Sequence, residues 1–174
     1  RAAPGRMSAR RTLLMRAVVA AVVLAVSIPV VFAAGDTSLA RGWGDDIEWH
    51  SLPDAQALAK ETGKPIMIVV HKSWCGACKR LKPQFAASED IKAFSKNFVM
   101  VNTEDDEEPT ESMYKPDGGY IPRILFADSA GQVDFSIYNK GGNPKYKYFY
   151  SNEAQVRDAM AVAKAQLVDL NTDL

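Results

Sequence analysis

The only two cysteines in the chain stand two residues apart, in the run Lys72-Ser73-Trp74-Cys75-Gly76-Ala77-Cys78-Lys79. The apolar run Ile66-Met67-Ile68-Val69-Val70 lies directly upstream, and a helix-compatible stretch follows. This order constrains the fold, because a buried strand must deliver a thiol pair to the mouth of a helix. Two thiols so placed can close into a disulfide with little backbone movement. That is the geometry of dithiol–disulfide exchange, and no other thiol competes.

A chain of 174 residues with 47% hydrophobic content can bury one sizeable core, so one domain is expected. The balance of 21 basic and 21 acidic residues hides an asymmetry. Arg1, Arg6, Arg10, Arg11 and Arg16 precede any acid, and from Ala34 onward the balance is −5. A mildly acidic body has no basic stripe for phosphates, which argues against nucleic acid as a partner. The basic head leads into the apolar segment Ala17 to Phe32, and Val31 and Ala33 have the spacing a signal peptidase accepts. Residues 1–33 therefore read as a leader, with Met7 as its start and cleavage after Ala33; an uncleaved anchor is the alternative. After cleavage, no stable membrane association is expected. Residues 34–42 form a short N-terminal segment, 43–168 the domain and 169–174 a tail. In an oxidising compartment two cysteines are too few for a disulfide scaffold but suit one redox site.

The body reads as alternating elements. Ser51-Leu52-Pro53-Asp54 resembles a capping box opening a helix through Leu58 that Gly63 can end. Pro65 to Val70 is a central strand, Cys78 to Ala87 a helix that Pro83 can kink, and Ser88 or Asp90 restarts a turn ending near Asn97. Phe98 to Val101 and Arg123 to Ala127 are further buried strands. Val133, Phe135 and Ile137 alternate as one face of a fourth, after the turn at Asp128 to Gly131. Tyr146, Tyr148 and Tyr150 alternate as a last strand. Val156, Met160, Ala163 and Leu167 mark the buried stripe of a final helix that Ser151 can cap. The expected class is α/β, a mixed sheet flanked by helices.

That order, with Trp74-Cys75-Gly76-Ala77-Cys78 after the first central strand, resembles the thioredoxin fold. Gly118-Gly119-Tyr120-Ile121-Pro122 adds a second match, because a proline before a buried strand resembles the cis-proline that packs beside the cysteine pair in that fold. His71 to Lys79, Gly118 to Phe126 and Asn143-Pro144 to Tyr150 carry a closer likeness. They resemble the small endoplasmic-reticulum proteins of the thioredoxin domain-containing protein 12 and anterior gradient family, over roughly Trp43 to Leu167. The resemblance implies a luminal oxidoreductase acting on protein disulfides, with no bound cofactor and glutathione as redox partner. It also implies a client-binding surface at Trp74, Ile121 and Pro122.

Position assigns the roles. Cys75 at a helix N-terminus, where unpaired amides and the dipole favour a thiolate, is the nucleophile, and Cys78, one turn deeper, resolves the mixed disulfide. Lys79 and Arg80 read as solvated cations. Thioredoxins and protein disulfide isomerases typically carry a buried acid six residues before the first cysteine; here that position is Val69. Arg123 has two readings, an electrostatic substitute or, more blandly, a structural salt bridge.

Other features have competing readings. His50 and His71 could join the cysteines at zinc, since CxxC is shared with zinc sites, but neither has finger-like pairing, and no metal is expected. Glu104-Asp105-Asp106-Glu107-Glu108 with Glu111 reads as a solvated loop lacking EF-hand spacing, with weak calcium association or a partner contact the alternative. No Asn-x-Ser/Thr sequon occurs. The tail Asn171-Thr172-Asp173-Leu174 resembles a relaxed retrieval signal, which favours retention in the endoplasmic-reticulum lumen over secretion. Two classes of function survive. One is a thiol–disulfide oxidoreductase; the other is a non-catalytic chaperone or client-binding module, like the anterior gradient members that have lost the second cysteine.

Overall fold

Strand β2 (Ile66–His71) shows why the sheet must be covered twice: all six of its residues are buried. Met67 and Val69 enter one apolar cluster while Ile66, Ile68 and Val70 enter another, as the two-residue period of a strand requires. The computed structural model describes residues 37–168. The leader, the first three residues of the short segment after it, and the tail lie outside the described residues.

Beside β2 run β1 (Trp49–His50), β3 (Val99–Glu104) and β4 (Arg123–Ala127). The sheet order is β1-β3-β2-β4. β3 is parallel to both β1 and β2, while β4 is antiparallel to β2, with Val69 opposite Asn102 on one side and Ile124 on the other. One face packs Trp43, Phe85, Ile91, Val156 and Met160 against Met67 and Val69. These side chains come partly from α2 (Gly76–Ala87), α3 (Glu89–Ser95) and α4 (Glu153–Ala163). The other face is closed by Ala55 and Ala59 of α1 (Leu52–Thr62) with Tyr114 and Tyr148. Each fully buried Ile, Leu, Val, Met or Phe side chain contributes about 1.5–3 kcal/mol of transfer free energy. The result is a single-domain thioredoxin fold.

The local signals behind the helices act as expected in part. The Ser51 hydroxyl caps α1 by accepting from the Asp54 N–H, Pro53 sits in its first turn, and Gly63 ends it in a left-handed conformation at φ 72°. The helix runs to Thr62, one turn beyond Leu58. Ser88 caps α3. α2 is continuous through Pro83.

Four expectations need correction. Val133 to Ile137 is no strand: Val133 makes only an isolated bridge to Ala127. Asp128 and Asp134 side chains accept from the Ala130, Gln132 and Ser136 N–H groups, and these local bonds curl the segment into turns. Phe135 is left 51% exposed. Tyr146, Tyr148 and Tyr150 likewise form no strand, Tyr146 at a bend, Tyr148 in a turn and Tyr150 in irregular chain, with Tyr148 and Tyr150 buried. The helix α4 is capped by Asn152, whose Oδ1 accepts from the Gln155 N–H at 3.0 Å, because Ser151 is engaged with the Gln155 side chain. Finally, β1 is an additional edge strand, and β3 extends past Val101 to Glu104.

Candidate redox site

Cys75 is the N-cap of α2, with φ −70° and ψ 117°, and its Sγ accepts the Cys78 N–H at 3.1 Å. The two sulfurs are joined in a disulfide, with Cα atoms 5.3 Å apart. Cys78 is completely buried and Cys75 is 5% exposed. Cys78 is shielded, as its deeper position predicts, but Cys75 is buried as well and not open as a position at a helix mouth implies. Part of the cover is the Ile121 carbonyl oxygen, 3.9 Å from the Cys75 Sγ. The Ile121–Pro122 peptide is cis, as the likeness implied. Trp74, next in the chain to Cys75, is 71% exposed, an aromatic surface at the lip of the site. The sequence-derived residues Trp74, Cys75, Cys78, Ile121 and Pro122 thus belong to one locality. Lys79 and Arg80 point to solvent.

On β2, Val69 is completely buried in the apolar cluster and supplies no carboxylate. His71, at the end of β2, is also completely buried, and its Nε2 lies 2.6 Å from the Asn102 Oδ1. Burial first, and then the Lys82 cation, lower its pKa to about 4, against the Asn102 hydrogen bond and Glu104. His50 sits on β1 beside Glu48. Among the described residues, no group of three or more His, Cys, Asp or Glu side chains is placed to hold a metal.

The acidic run is solvated only in part: Asp106, Glu107 and Glu111 are exposed, while Glu104, Asp105 and Glu108 are half-buried and make specific contacts. Asp105 accepts the Ser73 N–H on Oδ1 at 2.9 Å and the Lys72 ammonium on its carbonyl oxygen at 2.5 Å, gripping the loop that leads to Cys75. Glu107 takes a paired contact from Arg41, and Glu104 lies 3.3 Å from Lys82. Glu108 lies 2.7 Å from Lys72 and 2.6 Å from Arg123. Burial would raise the pKa of Glu108, but hydrogen bonds from Lys72 and Arg123 pull it down to about 2. Arg123 is completely buried and plays the structural role. Asp105 and Glu108 are the site residues that sequence reasoning passed over. The density of acid close behind a buried strand was the only signal for them.

A thioredoxin-like family profile matches residues 48–129, which span β1 to β4. Anterior gradient protein 3 of Mus musculus is 37% identical over 113 residues, covering 64% of this chain and 67% of its own. Anterior gradient protein 2-B of Xenopus laevis is 31% identical over 168 residues, covering 96% of this chain and 99% of its own. This chain belongs to the anterior gradient family. The likeness to that family thus extends well beyond the segment carrying the cysteines. A thioredoxin from Thermus thermophilus superposes with a TM-score of 0.50 at 15% identity, over 72% of this chain and 93% of that one, which supports the fold alone. An anterior gradient chain with a disulfide-bonded pair at a helix N-terminus has a thiol–disulfide oxidoreductase-like site.

Proposed function

We propose that the chain is a thiol–disulfide oxidoreductase of the endoplasmic-reticulum lumen, exchanging disulfides with protein clients through the Cys75-Gly76-Ala77-Cys78 pair, with glutathione as its redox partner. The observation that carries this reading is the Cys75–Cys78 disulfide at the N-terminus of α2, with the Cys75 Sγ receiving a backbone N–H. The same N–H and the positive end of the helix stabilise a thiolate once the bond opens. Each unit by which the Cys75 pKa falls below about 8.5 is worth about 1.4 kcal/mol of that stabilisation.

In the reducing direction the Cys75 thiolate attacks one sulfur of a client disulfide. A new S–S bond joins Cys75 to the client, and the other client sulfur leaves as a thiolate. Cys78, deprotonated, then attacks the Cys75 Sγ, which releases the second client thiolate and restores the Cys75–Cys78 disulfide. Two electrons have passed to the client. The reverse sequence oxidises a client dithiol. Trp74 and the Ile121–Pro122 turn border the pair where a client strand would lie.

Possession of both cysteines favours exchange over a purely binding role and aligns the chain with thioredoxin domain-containing protein 12. The basic, apolar leader supports delivery into the lumen. The test is trapping in cells. Cys78→Ser should accumulate disulfide-linked client adducts, because the first attack survives and resolution does not, while Cys75→Ser should accumulate almost none. Equal trapping by the two variants would contradict the assignment.

A further inference from the structure

The two segments that border the redox pair each carry a cation. Lys72 stands three residues before Cys75, and its carbonyl accepts the Cys75 N–H at 3.1 Å. Arg123 follows Pro122 directly, and the Ile121 carbonyl lies 3.9 Å from the Cys75 Sγ. Arg123 is completely buried, donating Nε to the Tyr114 carbonyl at 3.1 Å and a second N–H to the Tyr120 carbonyl. One carboxylate answers both cations: Glu108 Oε2 lies 2.7 Å from the Lys72 Nζ, and Glu108 Oε1 accepts from Arg123 Nη2 at 2.6 Å. Lys115 approaches the same carboxylate at 3.4 Å from the solvent side. Of the remaining charges, Asp105 binds the Ser73 N–H, and Lys79 and Arg80 are exposed on α2.

We propose that Glu108 is a positioning residue that sets the redox poise of the Cys75–Cys78 pair, by neutralising Lys72 and Arg123 and tying the cysteine loop to the Pro122 loop. This rests on the oxidoreductase reading above. The disulfide is uncharged, whereas the reduced pair carries the Cys75 thiolate. Any uncompensated cation nearby therefore stabilises the reduced form, lowers the thiol pKa and makes the disulfide more oxidising. Glu108 withholds that stabilisation. The equilibrium it tunes is balanced: the protein disulfide and two glutathione thiols give the protein dithiol and one glutathione disulfide, two electrons passing to the protein.

The experiment equilibrates the full chain with graded ratios of reduced and oxidised glutathione, then blocks free thiols and counts them by mass. Glu108→Gln should shift the equilibrium toward the dithiol by about threefold or more and lower the Cys75 pKa, since it uncovers two cations. Lys72→Met should shift both in the opposite direction, since it removes a cation and leaves Glu108 on Arg123. Mere loosening of the loops would move both variants the same way. Shifts of the same sign, or a Lys72→Met variant that titrates like wild type, overturn the inference. If Glu108→Gln does not fold, because buried Arg123 loses its partner, Lys72→Met decides alone. A wild-type pair that glutathione never reduces overturns the oxidoreductase reading and this inference with it. A wild-type pair that equilibrates, with variants that do not diverge, overturns this inference only.

Discussion

His71 is held in one tautomer by a neighbour that is itself held. The Asn102 amide nitrogen donates to the Leu39 and Ala40 carbonyls at 2.7 and 3.0 Å, so its oxygen faces His71 and the His71 Nε2 carries the proton. Nδ1 is left as a lone pair, 3.5 Å from a Glu104 oxygen. Burial, then Lys82, depress the His71 pKa from its ordinary 6.5 to about 4. Between those values the unfolded chain binds a proton that the folded chain refuses. The contribution is therefore fully present above pH 6.5 and is lost as pH falls toward 4. We expect stability to drop by about 2 kcal/mol from pH 7 to pH 5 on this account. His71→Gln, which can still donate to Asn102, should remove most of that slope in urea unfolding measured at the two pH values. An unchanged slope would assign the dependence to other groups. At this scale Cys75 and Cys78 were legible from their short spacing, and Pro122 from its likeness to the cis-proline that precedes a buried strand in the thioredoxin fold. Asp105 and Glu108 were not, because their partners Ser73, Lys72 and Arg123 come from other segments of the chain, and a charge run read alone looks solvated.

Among the elements, buried strands were easiest to read. β2 and β4 are continuous apolar or β-branched runs, and Arg123 to Ala127 was delimited correctly at both ends. The misreadings fell where alternation competed with local side-chain chemistry. Val133, Phe135 and Ile137 have a strand period, but Asp128 and Asp134 capture nearby N–H groups and no ladder forms. β1 was invisible because two residues carry no period, and only pairing with Met100 and Val101 makes it a strand. The cap of α4 was misplaced by one residue because Ser151 and Asn152 are both good N-caps in sequence. Here the structure makes a clear prediction. Asn152→Ala should cost about 1 kcal/mol, while Ser151→Ala should cost measurably less, since Ser151 only buttresses the Gln155 side chain. Urea unfolding midpoints of the two variants settle the order. A larger loss for Ser151→Ala would return the cap to that residue.

At the scale of the whole molecule, the sheet brings together chemistry that the sequence keeps apart. β2 delivers the cysteine loop, β4 carries the Pro122 turn antiparallel to it, and β3 ends in the acidic segment that binds both. The fold was legible because the cysteine motif, the apolar runs Ile66 to Val70 and Ile124 to Ala127 and the proline before β4 are each local. The clamp between the loops was not, because it exists only once three strand ends meet. Val69, six residues before Cys75, is buried in the apolar cluster and brings no carboxylate of its own to the core. The central claim is that Cys75–Cys78 is a working redox couple and not a structural staple. The most direct measurement is the wild-type glutathione titration, read by mass after thiol blocking. We expect the chain to pass reversibly from no blocked thiols to two as reduced glutathione rises, with the same midpoint approached from either side. A pair that stays oxidised under a large excess of reduced glutathione, while the protein remains folded, would contradict it.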